Sequence, residues 1–263
     1  MSPNKDSDNL SFWDHLEVLR HCIFRVLAVT LLAGIVAFCF KELLFRIVLA
    51  PKNSDFITYR LFEHLVGPMK AFDVELINVN LAQQFIIHLK TALWMGFLVV
   101  SPYVIYVLFG FIAPALYSSE KKHAVKAVVS GYFMFLLGVL FNYFVIFPLT
   151  FRFLGTYQVD ASVNNMISIE SYISTLLMLC LTLGIVFELP VLCWLLAKMG
   201  IMKAAFMKKY RRHAIVVILI VAAIITPTAD AFTLSLVALP IYLLFELSVI
   251  IVKKSELGMR NAE

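Results

Sequence analysis

Two glutamates lie inside long apolar runs of this sequence. One is Glu188, with Pro190 two residues after it, and the other is Glu246. A charged carboxylate at the centre of a bilayer costs about 3 kcal/mol on insertion scales, so such residues face a bundle interior, a water-filled cavity or a partner. A bond to a neighbouring hydroxyl, or to backbone groups freed by Pro190, is the structural alternative. We interpret both glutamates as intramembrane polar positions that a partner can reach.

A third acid, Glu120, lies in a predicted loop after Pro114 and directly before Lys121 and Lys122. The carboxylate can pair in solvent with its lysine neighbours, which is an interaction of little energetic weight. It can also receive a cationic partner, because a carboxylate binds a guanidinium through two parallel hydrogen bonds. The residues alone leave both roles open.

Glu17 and Arg20 belong to a segment in which apolar residues recur at helical spacing. The pattern predicts an amphipathic helix that runs into the first apolar run, and Ser11 with Asp14 resembles a capping box at its start. Such a helix can serve as a membrane-surface anchor or as part of a binding site.

Catalytic and metal-binding patterns are absent from the sequence. The six histidines show neither metal nor catalytic spacing, and the four cysteines fall inside apolar runs without a CxxC pair. An intramembrane enzyme would need a nucleophile with a base, or a metal-binding set, inside those runs. We therefore expect no enzymatic activity, no metal and no cofactor.

The composition requires a surface that faces lipid. Of 263 residues, 62% are apolar and 15% are charged, against roughly 45–50% and about 25% in soluble domains. The mean hydropathy is +0.90, which excludes an ordinary water-soluble enzyme because too little polar surface remains to cover a globule. The net charge of +5 then reports loops on one side of a membrane rather than affinity for nucleic acid.

Six apolar runs are candidates to cross a bilayer, since a spanning helix needs about 20 mostly apolar residues. We predict an all-α integral membrane protein with six transmembrane helices, the fifth and sixth short. The fifth run has too few residues for an average bilayer. The predicted crossings are residues 22–40, 91–112, 124–147, 172–197, 214–226 and 232–252.

Most of the 22 basic residues fall on one side of such a six-helix arrangement, and that side is cytoplasmic by the positive-inside rule. Both termini are therefore predicted in the cytoplasm, and residues 1–263 are predicted to form a single membrane domain. Its parts are a cytoplasmic amphipathic helix (1–21), an outer-face cap of short helices (41–90), cytoplasmic loops (113–123 and 198–213) and a cytoplasmic tail (253–263).

Several short motifs occur in a fixed order along nearly the whole chain. They are HLxxLR at 15–20, Ala50 with Pro51, FIAPALYSSEKK at 111–122, NYFVIFP at 142–148, FELP at 187–190, TPTAD at 226–230 and PIYLLFE at 240–246. Together they make the sequence similar to the TatC family, the multi-spanning core of the twin-arginine protein translocase. The stretch at 111–122 is the most specific, since it resembles the family motif FxxPALYxxE.

The resemblance implies a function and a set of partners. The chain is expected to bind twin-arginine signal peptides and to help move folded proteins across the cytoplasmic (inner) membrane, with the proton-motive force as the energy source. Its expected partners are cargo signal peptides and small single-span subunits of the TatA and TatB type, in an oligomeric complex. A proton-coupled secondary transporter of a small solute, with Glu188 and Glu246 as proton carriers, is the alternative.

The resemblance also implies roles for individual residues, with Glu120 receiving the arginines of the signal peptide. The positions expected to bind the signal peptide are Glu120, Glu17, Arg20, Phe111, Pro114, Leu116 and Lys121. Those expected to meet partners within the membrane are Glu188, Glu246 and Tyr143, and those expected on the outer face are Pro51 and Asp230.

Two positions depart from the family pattern. The family has an acid directly before the Leu-Arg pair of its first motif, whereas this chain has Val18 there and Glu17 one residue earlier. One residue corresponds to about 100° of rotation on a helix. The family also often has a proline before the aspartate of TPTAD, where this chain has Ala229, so we expect a less stiff backbone at that position.

The displaced acid generates a prediction. If Glu17 serves in place of the family glutamate, moving the acid back with Glu17→Val and Val18→Glu together keeps export, whereas Glu17→Ala alone reduces it. Export of a reporter that carries a twin-arginine signal measures both variants. Normal export by Glu17→Ala would make Glu17 only a surface residue of the amphipathic helix.

Overall fold

The computed structural model describes residues 12–67, 72, 74–112, 121–160, 162, 165–226 and 230–260. Within these ranges the regular secondary structure is helical apart from two short strands that pair in parallel, with Leu76 opposite Ile167 and Ile77 opposite Ser168. The helices are α1 (Phe12–Phe38), α2 (Lys41–Val48), α3 (Ile57–Val66), α4 (Gln83–Ile112), α5 (Lys121–Phe141), α6 (Phe147–Thr156), α7 (Ile169–Val186), α8 (Leu189–Lys198), α9 (Ala204–Lys209), α10 (Arg211–Ile225) and α11 (Ala231–Arg260).

Among the described residues, five stretches are long and apolar enough to cross a membrane. They are Leu16–Phe38, Gln83–Leu108, Val128–Thr156, Ile169–Lys198 and Ala231–Leu257. The prediction of an all-helical membrane protein is therefore confirmed. The predicted fifth crossing corresponds to α10, which has 15 residues and so reaches only about 22 Å at about 1.5 Å per residue.

The predicted shortness of the sixth crossing is wrong, because α11 has 30 residues. The helix continues through Pro240 and extends past the apolar run into polar residues that begin at Lys253 and Lys254. Apolar length alone underestimated the helix, since a polar sequence continues a helix as readily as an apolar one.

Several predicted boundaries also shift. The predicted cap, 41–90, ends earlier because α4 begins at Gln83. Lys90 made this segment look like a loop, but its Nζ lies 3.7 Å from a carboxylate oxygen of Glu170, which supplies a partner for the charge. Parts of the predicted loops and tail are helical too: α5 begins at Lys121, α9 and the start of α10 lie within 198–213, and α11 continues to Arg260.

Helix α1 packs against α4 through two glycines. A Cβ atom placed on Gly96 would lie 2.4 Å from the backbone nitrogen of Gly34 and 2.7 Å from its Cα atom. The two backbones therefore touch, as they do in membrane helix pairs that associate through small residues. The other faces of α1 leave Leu27, Leu32 and Ile35 exposed, as expected of a helix that faces lipid.

The central core forms where α5 and α7 meet. Phe135 of α5 packs on Gly184, and Phe187 packs on Gly138. The third long apolar stretch continues from α5 into α6 through a π-helical turn, Asn142–Ile146. Asn142 is fully buried, and its Nδ2 atom donates a hydrogen bond to Cys180 Sγ at 2.9 Å, which ties the turn to α7.

The glycine contact between α1 and α4 generates a prediction. Gly96→Ala is expected to destabilise the protein by about 1–3 kcal/mol, because the added methyl group meets backbone atoms that must move apart. Gly110→Ala is the matched control in the same helix, since a Cβ atom there meets nothing within 4 Å. Thermal unfolding of the purified protein in detergent measures both. An unfolding temperature for Gly96→Ala at or above that of the parent chain contradicts the contact.

Candidate functional site

Some of the residues predicted to bind the signal peptide lie within the described part of the chain, and others lie outside it. Glu120, Pro114 and Leu116 lie outside the described residues. Phe111 belongs to the last turn of α4, and Lys121 is the first residue of α5. The end of α4 and the start of α5 thus flank the segment that carries the predicted carboxylate.

Glu17 and Arg20 lie in the first part of α1 with exposed side chains. A carboxylate oxygen of Glu17 is 3.9 Å from His21 Nε2, with both side chains more than half exposed. The Arg20 guanidinium lies 5.6 Å from the centre of the Phe24 ring. Exposed contacts of this kind contribute little energy, so both charged groups are available to a partner.

Glu188 occupies a break in the fourth apolar stretch. Helix α7 ends at Val186 and α8 begins at Leu189, with Pro190 in its first turn. Pro190 has no N–H and favours the start of a helix, which explains the break. Both carboxyl oxygens of Glu188 are buried, and neither has a hydrogen-bond partner in the part of the chain that the structure describes.

Glu246 has a partner that the sequence interpretation missed. The Arg211 Nη2 atom donates a hydrogen bond to Glu246 Oε2 at 2.6 Å, which joins the first residue of α10 to α11. The Arg211 side chain is 45% exposed and that of Glu246 is 24% exposed. An arginine at the start of one apolar run and an acid in the next run are the signal that could have predicted this pair.

Tyr143, predicted to meet a partner within the membrane, has a hydrogen bond within the chain. Its hydroxyl donates to the carbonyl oxygen of Ile47 at 2.7 Å. The hydroxyl of Tyr172 donates in the same way to Val48 O at 3.1 Å. Carbonyl groups in the last turn of a helix lack intrahelical partners, so the two tyrosines satisfy the end of α2 and attach it to the bundle.

Pro51 is buried in a 3₁₀ turn, Ala50–Lys52, that follows α2. The hydroxyl of Tyr59 lies 3.0 Å from the carbonyl oxygens of both Pro51 and Pro148, between which it shares its proton. Burial raises the pKa of the Tyr59 phenol above its ordinary value, although the nearby Arg152 opposes the shift. Pro51 therefore lies in the joint between the cap and the bundle.

Asp230 caps the last long helix. Its Oδ1 atom accepts a hydrogen bond from Thr233 N at 2.7 Å, and its carbonyl oxygen accepts one from Leu234 N at 3.1 Å. An aspartate in this position satisfies free N–H groups of the first turn. Across the described ranges, no group of three or more histidine, cysteine, aspartate or glutamate side chains is arranged to hold a metal ion.

Five long apolar helices and a shared core define this chain as a multi-pass, all-helical membrane protein. A family model described as Sec-independent protein translocase protein (TatC) matches residues 14–240. Because the match covers most of the sequence, the chain belongs to the TatC family. The resemblance drawn from the short motifs is thus confirmed.

The sequences of individual relatives are similar to this chain along most of their length. The TatC protein of Blattabacterium sp. subsp. Periplaneta americana (strain BPLAN) is 32% identical, with 94% of this chain and 96% of the relative covered. That of Koribacter versatilis (strain Ellin345) is 36% identical, with 91% and 84% covered. A crystal structure of the twin-arginine translocase receptor TatC superposes with a TM-score of 0.76 at 32% identity and covers 92% of this chain and 99% of that chain. The chain is therefore a Tat translocase subunit, a transport component and not an enzyme.

The unpartnered carboxyl group generates a prediction. Glu188→Gln is expected to leave stability unchanged or to raise it by up to about 1 kcal/mol, because a neutral amide is less costly to bury than an unpaired carboxylate. Glu256→Gln is the matched control, since Glu256 Oε1 accepts a hydrogen bond from Ala204 N at 2.8 Å. The free energy of unfolding of that control variant is expected to fall by up to about 1 kcal/mol. Thermal unfolding that gives a clear loss for Glu188→Gln would mean that Glu188 has a structural partner.

Proposed function

We propose that this chain is the receptor subunit of a twin-arginine translocase in the cytoplasmic membrane. It binds the two adjacent arginines of a signal peptide and forms the core of a complex that moves folded proteins with the proton-motive force. The observation that supports this most is the family match over residues 14–240, together with the similarity of the fold to the solved receptor.

In this proposal α10 also crosses the bilayer, as the fifth of six crossings, so the single membrane domain has both termini in the cytoplasm. Helix α10 is shorter than the hydrocarbon core, which is about 30 Å thick. Arg211 and Arg212 at its start are exposed and can reach the interface with their long side chains. Most of the basic residues then lie on the cytoplasmic side, as the positive-inside rule requires.

The signal peptide binds at the cytoplasmic end of α1 and at the segment between α4 and α5. Two adjacent guanidinium groups need two acceptors, and carboxylates are the side chains that accept them bidentately. Glu120 supplies one and Glu17, exposed on α1, supplies the other. Lining positions for the peptide are Arg20, Phe111, Pro114, Leu116 and Lys121.

The small single-span subunits meet the receptor within the membrane at Glu188. Its buried, unpartnered carboxyl oxygens offer acceptors to a polar group of a partner helix, a contact that gains strength away from water. Glu246 and Tyr143 support this function through their own partners, Arg211 and Ile47. Pro51 and Asp230 support it on the outer face, where Pro51 joins the cap to the bundle and Asp230 caps α11.

The proton-coupled transporter is the weaker proposal. It requires two carboxyl groups that are free to take up and release protons inside the bundle. Glu246 is instead hydrogen-bonded to Arg211 at 2.6 Å, so it is not a free carboxyl group of this kind. No solute flux is therefore expected from the purified protein alone.

Binding of a labelled twin-arginine signal peptide to the purified chain tests the receptor proposal. Glu120→Gln and Glu120→Ala are both expected to weaken binding roughly ten- to a hundredfold, because each removes an anion that compensates the arginines. Glu63→Gln is the control, since Glu63 is an exposed glutamate of α3 in the predicted cap. Unchanged affinity in both Glu120 variants, at normal protein levels, rules out the assigned site.

A further inference from the structure

A second candidate binding site lies where α1 ends and α2, α4 and α7 begin. A cavity of about 380 Å³ there is lined by the polar side chains of Lys41, Gln84 and His88 and by the apolar side chains of Phe45, Phe85 and Ile169. Lys41 also lines a neighbouring cavity of about 580 Å³ at the start of α2. The two cavities therefore share Lys41. The first cavity is mostly apolar and the second is more polar.

His88 is the least expected member of this site. It is only 8% exposed, and its buried Nε2 atom has no hydrogen-bond partner among the residues with described positions. The imidazole stacks on the Phe38 ring with centroids 3.9 Å apart and planes 13° apart, and Phe45 packs on it at 5.7 Å. The two phenylalanines hold the ring in place, so a polar nitrogen is fixed in a buried position without a protein partner.

The neighbouring cavity collects groups that favour an anion. Its walls include Phe40, Lys41 and Arg46, together with the acid Glu42. Phe40 is the residue before the first turn of α2, and no side chain in the described part of the chain caps that turn. Uncapped N–H groups and the helix dipole favour a negative charge at such a position. The two basic side chains outnumber the single acid, so the wall is cationic on balance.

The position along α1 matches the level of lipid headgroups. The apolar stretch Leu16–Phe38 has 23 residues, which corresponds to about 34 Å of helix and so to a full hydrocarbon core of about 30 Å. Lys41 follows three residues after Phe38 and therefore lies at the interface. Phe40 and Phe85 are 58% and 63% exposed, which leaves the site open toward the acyl chains.

We propose that these two cavities bind one anionic phospholipid. Its phosphate lies against Lys41, Arg46 and the first turn of α2, and His88 donates to an oxygen of the headgroup or of the glycerol ester. One acyl chain lies along Phe45, Phe85 and Ile169. This site is separate from the proposed signal-peptide surface, which lies at the opposite end of α1.

Lipid retention by the purified full-length chain, measured by native mass spectrometry, tests the proposal. Phosphatidylglycerol is compared with phosphatidylcholine of the same acyl chains. The parent chain is expected to retain one phosphatidylglycerol with at least roughly tenfold higher affinity than phosphatidylcholine, because the choline cation of phosphatidylcholine is repelled by Lys41 and Arg46. Equal retention of the two lipids overturns the proposal.

Variants locate the site. Lys41→Gln is expected to reduce the affinity for phosphatidylglycerol roughly tenfold and His88→Phe, which keeps the ring stack, by roughly fivefold. Lys52→Gln is the control, because Lys52 lies nearby in the 3₁₀ turn but outside both cavities. Unchanged retention in Lys41→Gln overturns the assignment.

A competition experiment and a replacement variant complete the test. Excess inorganic phosphate is expected to leave the lipid bound, and complete displacement would mean that the site recognises phosphate rather than a lipid. If His88→Phe does not fold, Arg46→Gln in combination with Lys41→Gln replaces it, with an expected loss larger than that of Lys41→Gln alone. A double variant that retains the lipid like the parent chain contradicts the proposal.

Discussion

Lipid offers no hydrogen bonds, so each backbone polar group inside the membrane must be satisfied by the protein itself. The chain departs from regular α-helix inside its apolar stretches at the π-helical turn Asn142–Ile146 and at the break before Glu188. Both interruptions are packed together in the core, where the rings of Phe141 and Phe187 lie 5.8 Å apart. The irregular backbone is therefore kept away from lipid. The carboxyl group of Glu188 lies at one of these two interruptions, inside the bundle.

The same constraint explains how the cap is held. Short helices that lie outside the long apolar stretches end in carbonyl groups that need donors. Tyr143, Tyr172 and Tyr59 supply their hydroxyls to the segment that runs from Ile47 to Pro51. The cap is thus attached to the bundle by these hydrogen bonds and by apolar residues such as Val48 and Val74, which belong to the central core, and its position determines the cavity beside His88.

Sequence reasoning predicted the features that depend on local pattern. Long apolar runs predicted the five long helices, and Glu188 predicted a polar position inside the fourth run, but the break in the helix at Glu188 was not predicted. It did not predict that Glu246 binds Arg211, because that pair depends on how α10 and α11 pack, nor that α11 continues to Arg260, because apolar length does not define where a helix ends. Nor did it predict the hydrogen bond of Tyr143, whose acceptor lies 96 residues away in the chain.

The proposed binding of two adjacent arginines is tested most directly by replacing those two residues in the signal peptide. Affinity of the purified chain is measured for a twin-arginine signal peptide and for the same peptide with both arginines replaced by lysine. Lysine keeps the charge but loses the planar, bidentate geometry that carboxylates bind. The account predicts at least roughly tenfold weaker binding of the lysine peptide, equivalent to about 1.4 kcal/mol. Equal affinity for the two peptides would contradict it.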